Sequence, residues 1–268
     1  MTTTESYIVA SGIDGYDRLK VLSRAMHEAT SVALERVGLH AGMECLDVGC
    51  GSGDVSFEMA RRVGRTGRVV AIDIDDVTLE LARREAAASR GAVEFVRADA
   101  TKLEGCAEYD LVYARFLLTH LREPALAVAR FVRLLRPGGV LLVEDVDFGG
   151  SFCHPKSASH DRYVELYIEA SKNKSGDPFV GLRMPEFFGA SGLTQVWTHV
   201  VQPMGIAGEI KLLPALTVQA IARALVAQKL ATAEEVERLS AELTAMAADP
   251  TTMLGLPRVI QTWGRRPG

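Results

Sequence analysis

Asp47 stands two residues before a glycine-rich turn, Gly49-Cys50-Gly51-Ser52-Gly53, and a second carboxylate, Asp54, follows it. Glycines permit positive φ and, lacking a Cβ, let a ligand approach the main chain closely. The helix expected behind the turn offers unpaired N–H groups and the positive end of its dipole. A phosphate-cradling loop is excluded, because no Lys-Ser or Lys-Thr pair follows the glycines. The dinucleotide pattern G-x-G-x-x-G fails at its third glycine, where Asp54 would face a pyrophosphate. A carboxylate beside the turn suits a cationic or zwitterionic ligand better. Asp73 closes a second apolar run, Arg68 to Asp73. A carboxylate there accepts two donors at once, as a ribose diol requires, and Ile74 beside it suits an adenine face. Two further groups could move protons. His120 follows the fourth apolar run and Asp145 ends the fifth. Neighbouring strand ends would bring them together as a base with an orienting carboxylate. Asp147 and His154 are weaker candidates for the same work.

The elements that would position these groups alternate. Leu19, Leu22, Met26, Ala29, Ala33 and Val37 recur at three- and four-residue steps and predict a helix. Strands are expected to end at Val48, Asp73, Arg97, Ala114 and Asp145. Helices are expected over Val55 to Val63, Asp76 to Ser89 and Pro124 to Leu135. Arg136-Pro137-Gly138-Gly139 reads as a breaker and a turn. Near-continuous apolar strands alternating with helices imply a parallel sheet buried on both faces. Past residue 150 the pattern changes. Helices are expected over Ser159 to Ser171, over Pro214 to Leu230, and after the capping box Thr232-x-x-Glu235. Leu193 to Val201 and Arg258 to Trp263 read as two last strands.

The run Asp47-Val48-Gly49-Cys50-Gly51-Ser52-Gly53 resembles the first motif, acidic-x-G-x-G-x-G, of the class I S-adenosylmethionine (SAM)-dependent methyltransferases. Leu135-Arg136-Pro137-Gly138-Gly139 before the fifth strand is a second resemblance to that family. It covers roughly Gly42 to Asp145 strongly, the last two strands by order only, and the inserted helices hardly at all. It implies an α/β, Rossmann-like, doubly wound and mostly parallel seven-stranded sheet with helices on both faces. The whole chain, 1–268, would be one methyltransferase domain, with an N-terminal helical cap (1–40), a SAM-binding core (42–146) and inserted lid segments (151–190 and 204–249). The expected cofactor is S-adenosyl-L-methionine, held by Tyr7, Arg18, Asp47, Gly49, Gly51, Gly53, Asp73, Ile74, Asp99, Ala100 and Arg115. In this set Tyr7 and Arg18 cap the site, and Asp99 meets the adenine amino group. His120 and Asp145 are the expected catalytic pair for O- or C-methylation of a small molecule by in-line displacement.

Other readings keep the fold but change the partner: a protein or RNA methyltransferase, or a non-catalytic SAM-binding subunit. Acidic side chains number 34 against 30 basic, a formal net charge of −4. Neither the basic footprint nor the open face of a nucleic-acid binder is visible. The four cysteines show no C-x-x-C, no His/Cys/Asp/Glu cluster has ligand spacing, and no metal is expected. The N-terminus lacks a signal-peptide pattern, and no apolar run reads as a membrane span. The expectation is a cytoplasmic enzyme with a small-molecule substrate, no nucleic acid and no membrane partner, and with homodimerisation as an option.

Overall fold

The computed structural model describes residues 13–88 and 93–268. Helix α1 (Ile13–Arg36) precedes strand β1 (Glu44–Val48), and then elements alternate: α2 (Asp54–Val63), β2 (Arg68–Asp73), α3 (Asp76–Ala88), β3 (Val93–Arg97), β4 (Tyr109–Arg115), α4 (Pro124–Leu134) and β5 (Leu135–Asp147). Then come β6 (Phe152–His154), α5 (Ala158–Asn173), α6 (Met184–Ala190), β7 (Thr194–Val201) and β8 (Met204–Gly205). The chain closes with α7 (Leu213–Ala227), α8 (Ala233–Ala248), β9 (Met253–Gly255) and β10 (Arg258–Arg265).

Seven strands form one sheet in the order β3-β2-β1-β4-β5-β10-β7. The five from β3 to β5 are parallel, and β10 runs antiparallel to both its neighbours. This is the mostly parallel, doubly wound sheet expected from the alternation. Side-chain period two divides its residues between two layers. Cys45, Val69, Leu111, Tyr113, Val140 and Leu142 pack against α1 and α2 through Leu34, Val37, Val55 and Met59. Their neighbours Leu46, Val70, Val112, Leu141 and Val143 face α4 and α6 through Val128, Phe131, Phe187 and Phe188. Helix α3 buries Leu79 and Ala82 on Ala71 and Phe95. The order of strands reverses at β1, and β1 and β4 leave their carboxyl ends on either side of that switch point. Ligands bind at such a crevice.

Two differences from the sequence reading have local causes. The Pro-Gly-Gly stretch does not precede the fifth strand but lies inside it. Gly138 takes φ +80°, the pairing with β4 shifts register there, and Arg266 exchanges backbone hydrogen bonds with Gly138 and Gly139. Also, three very short strands make a second sheet, β6-β9-β8. No periodicity announces strands of two or three residues.

Helices α5, α7 and α8 form a roof over the carboxyl end of the sheet. Tyr163, Leu166 and Tyr167 of α5 meet Val218, Ile221 and Leu225 of α7 and Val236, Leu239 and Leu243 of α8 in one buried cluster that also holds Phe148 and Val146. Thr232 caps α8 by accepting the Glu235 N–H, as the capping box predicts. Within this region Glu209–Ala227 is long and apolar enough to cross a membrane, unlike the sequence reading, but half of its most apolar window is buried inside the fold. Lys211, 1% exposed, donates from Nζ to the carbonyls of Ile206, Asp249 and Thr252 and so ties three segments. The chain crosses between sheet and roof near residues 150, 202 and 256. Gln202 donates from Nε2 to the carbonyls of Gly150 and Leu256, while Leu256 N–H donates to Pro203.

Candidate active site

The glycine turn folds as its residues demand. Gly49, Gly51 and Gly53 all have positive φ. The N–H groups of Gly49 and Cys50 donate to Ile72 O, which locks the turn to β2, and Gly53 N–H donates back to Cys50 O. A Cβ on Gly53 would sit 3.0 Å from the Phe95 ring, whereas one on Gly51 (φ +52°) would meet only Leu19 at 3.8 Å. Gly51 therefore answers to backbone conformation and to close approach from the cavity, and Gly53 to packing behind the turn.

Asp73 joins the two loops. Its Oδ2 accepts the Gly51 N–H at 2.9 Å and its Oδ1 accepts the Asp75 N–H at 3.0 Å. Burial raises its pKa against these backbone donors. Asp47 is 2% exposed and accepts from Ser56 Oγ at 2.5 Å. Burial pushes its carboxyl up to about 6, although the Ser56 hydrogen bond and the Arg115 charge oppose that. Arg115 donates to Thr30 Oγ1 at 3.1 Å and to Ser23 Oγ at 3.4 Å. Beneath it, Glu144 is fully buried and accepts from Thr30 Oγ1 at 2.7 Å, from Gln261 Nε2 at 2.6 Å and from the Tyr113 hydroxyl. Lys20 of α1 reaches over the turn to Asp54 at 3.1 Å and Glu85 at 2.8 Å.

One cavity of about 730 Å³ gathers most of these groups. Arg18, Asp47, Gly49, Gly51, Asp73, Ile74, Arg115 and His120 line it. From the roof side it is lined by Phe116, Phe148, Tyr163, Tyr167, Leu213 and Thr217. Phe148 stacks on Tyr167 with centroids 3.9 Å apart, and Tyr163 meets Phe148 edge-on at 6.4 Å. The sequence reading missed these aromatics, yet Tyr163 and Tyr167 are four apart on α5 and share a face.

Several expected residues lie elsewhere. Asp99 caps the short turn Ala100–Lys102, accepting from Thr101 N–H at 2.9 Å and pairing with Lys102 at 3.1 Å. Asp99, Ala100 and Gly53 are not among the cavity's lining residues. Tyr7 lies outside the described residues. The expected His120–Asp145 pair is corrected by the geometry. Asp145 is fully buried and accepts from the backbone N–H groups of Val146 at 2.8 Å and Thr119 at 3.3 Å. Burial raises it to about 7, and N–H groups of Leu117 and Leu118 join those of Val146 and Thr119 in opposing that rise. Its carboxylate anchors the turn after β4 rather than facing the cavity. His120 does line the cavity, but burial and then the Arg18 charge hold its pKa down at about 3. It is a neutral imidazole and a poor base at working pH. Asp147 accepts the Gly149 N–H and pairs with Arg258 at 2.6 Å, and His154 is exposed on β6. Among the described residues, no His, Cys, Asp and Glu group is arranged to hold a metal.

Residues 45–139, which include the turn, Asp73 and β4, match the family model of a methyltransferase domain. Residues 45–139 carry a methyltransferase domain. The chain is 34% identical over 159 residues to a ubiquinone/menaquinone biosynthesis C-methyltransferase from Pseudomonas putida, a match covering 57% of this chain and 61% of the relative. It is 32% identical over 165 residues to phosphoethanolamine N-methyltransferase 3 from Arabidopsis thaliana, covering 60% of this chain and 32% of that one. The chain thus spans under two thirds of the length of these curated relatives. Among solved structures, a Bacillus halodurans protein described as a methyltransferase superposes with a TM-score of 0.62 at 20% identity, over 90% of this chain and all of that one. That likeness is one of fold.

Proposed function

We propose that the protein is an enzyme that transfers the methyl group of SAM to a small-molecule acceptor enclosed under the helical roof. The observation that carries this reading is the continuity of the cavity: the space that touches Gly51 and Asp73 also touches Phe148 and Tyr167. Its size falls in the range of roughly 300–1,000 Å³ that encloses ligands almost completely. Bound SAM would supply a methyl group on a positively charged sulfur with a good leaving group. The chain's residues fit it. Asp73 accepts backbone N–H groups at both oxygens without filling its acceptor capacity, which leaves room for a ribose hydroxyl. Ile74 supplies an apolar face for adenine, and the backbone at Gly51 is open to close approach. A cation bound beside Asp47 would hold that carboxylate ionised despite its burial.

In this reading catalysis comes from alignment and exclusion of water. The aromatic wall does the excluding. His120 offers a neutral hydrogen-bonding edge rather than a base, which favours an acceptor that arrives already nucleophilic, as carbon or oxygen. A strictly non-catalytic subunit gains no support from an aromatic chamber of this size. Four free cysteines suit a reducing compartment, and a cytoplasmic location is part of the proposal. The test has two stages. Calorimetric titration with S-adenosylhomocysteine should give saturable binding. Incubation with SAM and a metabolite pool should then add the mass of one methyl group to a small molecule. Saturable cofactor binding with no methylated product from any pool would sink the enzyme reading.

A further inference from the structure

Charge is divided across the cavity. Its lining carboxylates, Asp47, Asp73 and Asp75, lie at the carboxyl ends of β1 and β2 or just after them. The half under the roof is lined by no Asp or Glu among the described residues, and it holds the cations Arg18, Lys174 and Arg223. Arg223 is exposed and Lys174 is a half-buried ammonium at the end of α5, so the half-buried guanidinium is that of Arg18. Its Nε donates to Thr217 Oγ1 at 2.9 Å, and the Thr217 hydroxyl donates onward to Leu213 O at 2.7 Å. That chain of bonds fixes the plane of the guanidinium through one nitrogen and leaves its terminal fork for another group. No carboxylate among the described residues pairs with it, although many other arginines of this chain have such a partner. Its charge is felt at His120, Tyr163 and Tyr167, so it sits among the chamber's polar groups.

A half-buried guanidinium among aromatic rings is costly unless an anion completes it, and its planar fork matches a carboxylate or an acidic oxygen. We propose, building on the methyl-transfer reading above, that the acceptor is a flat, apolar molecule bearing an anionic group, and that Arg18 binds that group. The Phe148–Tyr167 stack with Tyr163 at its edge supplies the surface for the flat frame. Cationic amines are disfavoured as acceptors, because they would meet Arg18 with no carboxylate to offset it. Arg18 therefore moves from the cofactor to the acceptor side of the site.

The experiment titrates three matched probes, 1-naphthoate, 1-naphthamide and 1-naphthylmethylammonium, into wild type, Arg18→Gln, Arg18→Lys and Thr217→Val, each with and without S-adenosylhomocysteine. Wild type should prefer the carboxylate. Arg18→Gln should weaken it by roughly 10- to 100-fold, the worth of a charge-assisted hydrogen bond, while cofactor affinity stays unchanged. Arg18→Lys should retain part of the preference, and Thr217→Val, which leaves the charge but frees its orientation, should fall between. The proposal is overturned if the ammonium probe binds as well as the carboxylate, if naphthoate fails to bind at millimolar concentration, or if Arg18→Gln weakens S-adenosylhomocysteine as much as naphthoate. Failure of wild type to bind S-adenosylhomocysteine overturns the methyl-transfer reading instead, and it appears in a separate titration.

Discussion

His120 makes a measurable prediction about stability. Its folded pKa of about 3 lies below the ordinary 6.5, with burial as the larger cause and Arg18 as the second. The unfolded chain therefore binds a proton that the folded chain refuses between these values. The imidazole's contribution is fully present above the unfolded value and is lost as pH falls below it. At about pH 4.5 the solution is about two units below the unfolded pKa, so the loss is ~2.7 kcal/mol. In His120→Gln no such proton exists. Urea unfolding of both proteins at about pH 7.5 and about pH 4.5 should show the stability difference, wild type minus variant, falling by ~2–3 kcal/mol. Comparing the two proteins removes the other titrations. Asp47, raised to about 6, and Asp145, raised to about 7, work in the opposite sense, because their folded forms gain protons and stability as pH falls through those values. Both are common to the two proteins. A change below ~0.5 kcal/mol would mean that the imidazole accepts its proton in the folded state, and the argument that it stays a neutral buried group would fail with it.

Other substitutions test the remaining parts. Asp73→Ala should weaken S-adenosylhomocysteine by roughly 10- to 100-fold in a calorimetric titration, since a charged acceptor contributes ~1.5–3 kcal/mol; unchanged affinity would reject the ribose assignment. Gly51→Val should abolish cofactor binding, because a β-branched residue at φ +52° is strained and the turn must move; a folded variant that binds normally would dissociate the turn from the cofactor. His120→Gln should keep most of kcat on the true substrate with the pH profile unshifted, whereas a general base would cost ~10²–10⁴-fold. Lys211→Met should lower stability by ~2–4 kcal/mol through carbonyls left unpaired, read by urea unfolding; an effect under ~0.5 kcal/mol would show that water replaces the ammonium.

Asp73 and Asp145 show what a sequence can and cannot convey. Both are carboxylates at the end of an apolar strand, and both were read as functional. The alternation of strands and helices carries the sheet, so Asp73 could be placed at the switch point from residue order alone. The fate of Asp145 depends on the turn after β4, whose N–H groups at Leu117, Leu118 and Thr119 converge on it. No pattern in residues 116–120 announces that convergence. Glu144 was equally hidden. Its partners Thr30, Tyr113 and Gln261 come from α1, β4 and β10. Only the completed sheet brings them to one point. Asp99 shows the converse: an ordinary capping role, legible in Asp99-Ala100-Thr101, accounts for its hydrogen bonds with Thr101.

The amide of Gln202 has a consequence for how such a protein could be rebuilt. The chain leaves the sheet after β5 and again after β7 and re-enters it before β10, and these three passages lie within reach of one side chain. Cuts at residues 150, 202 and 256 would therefore open the molecule along a single seam, with α6 and the edge strand β7 leaving in the first segment together with α5. A substitute roof has to reproduce one amide with two carbonyl partners at that seam, and a complement to α1 on the far side, for the sheet beneath to accept it. The glycine turn and Asp73 lie outside the exchanged segments, so a chimaera built this way should inherit its cofactor site from one parent. The wall formed by Tyr163 and Tyr167, and with it the choice of acceptor, would come from the other.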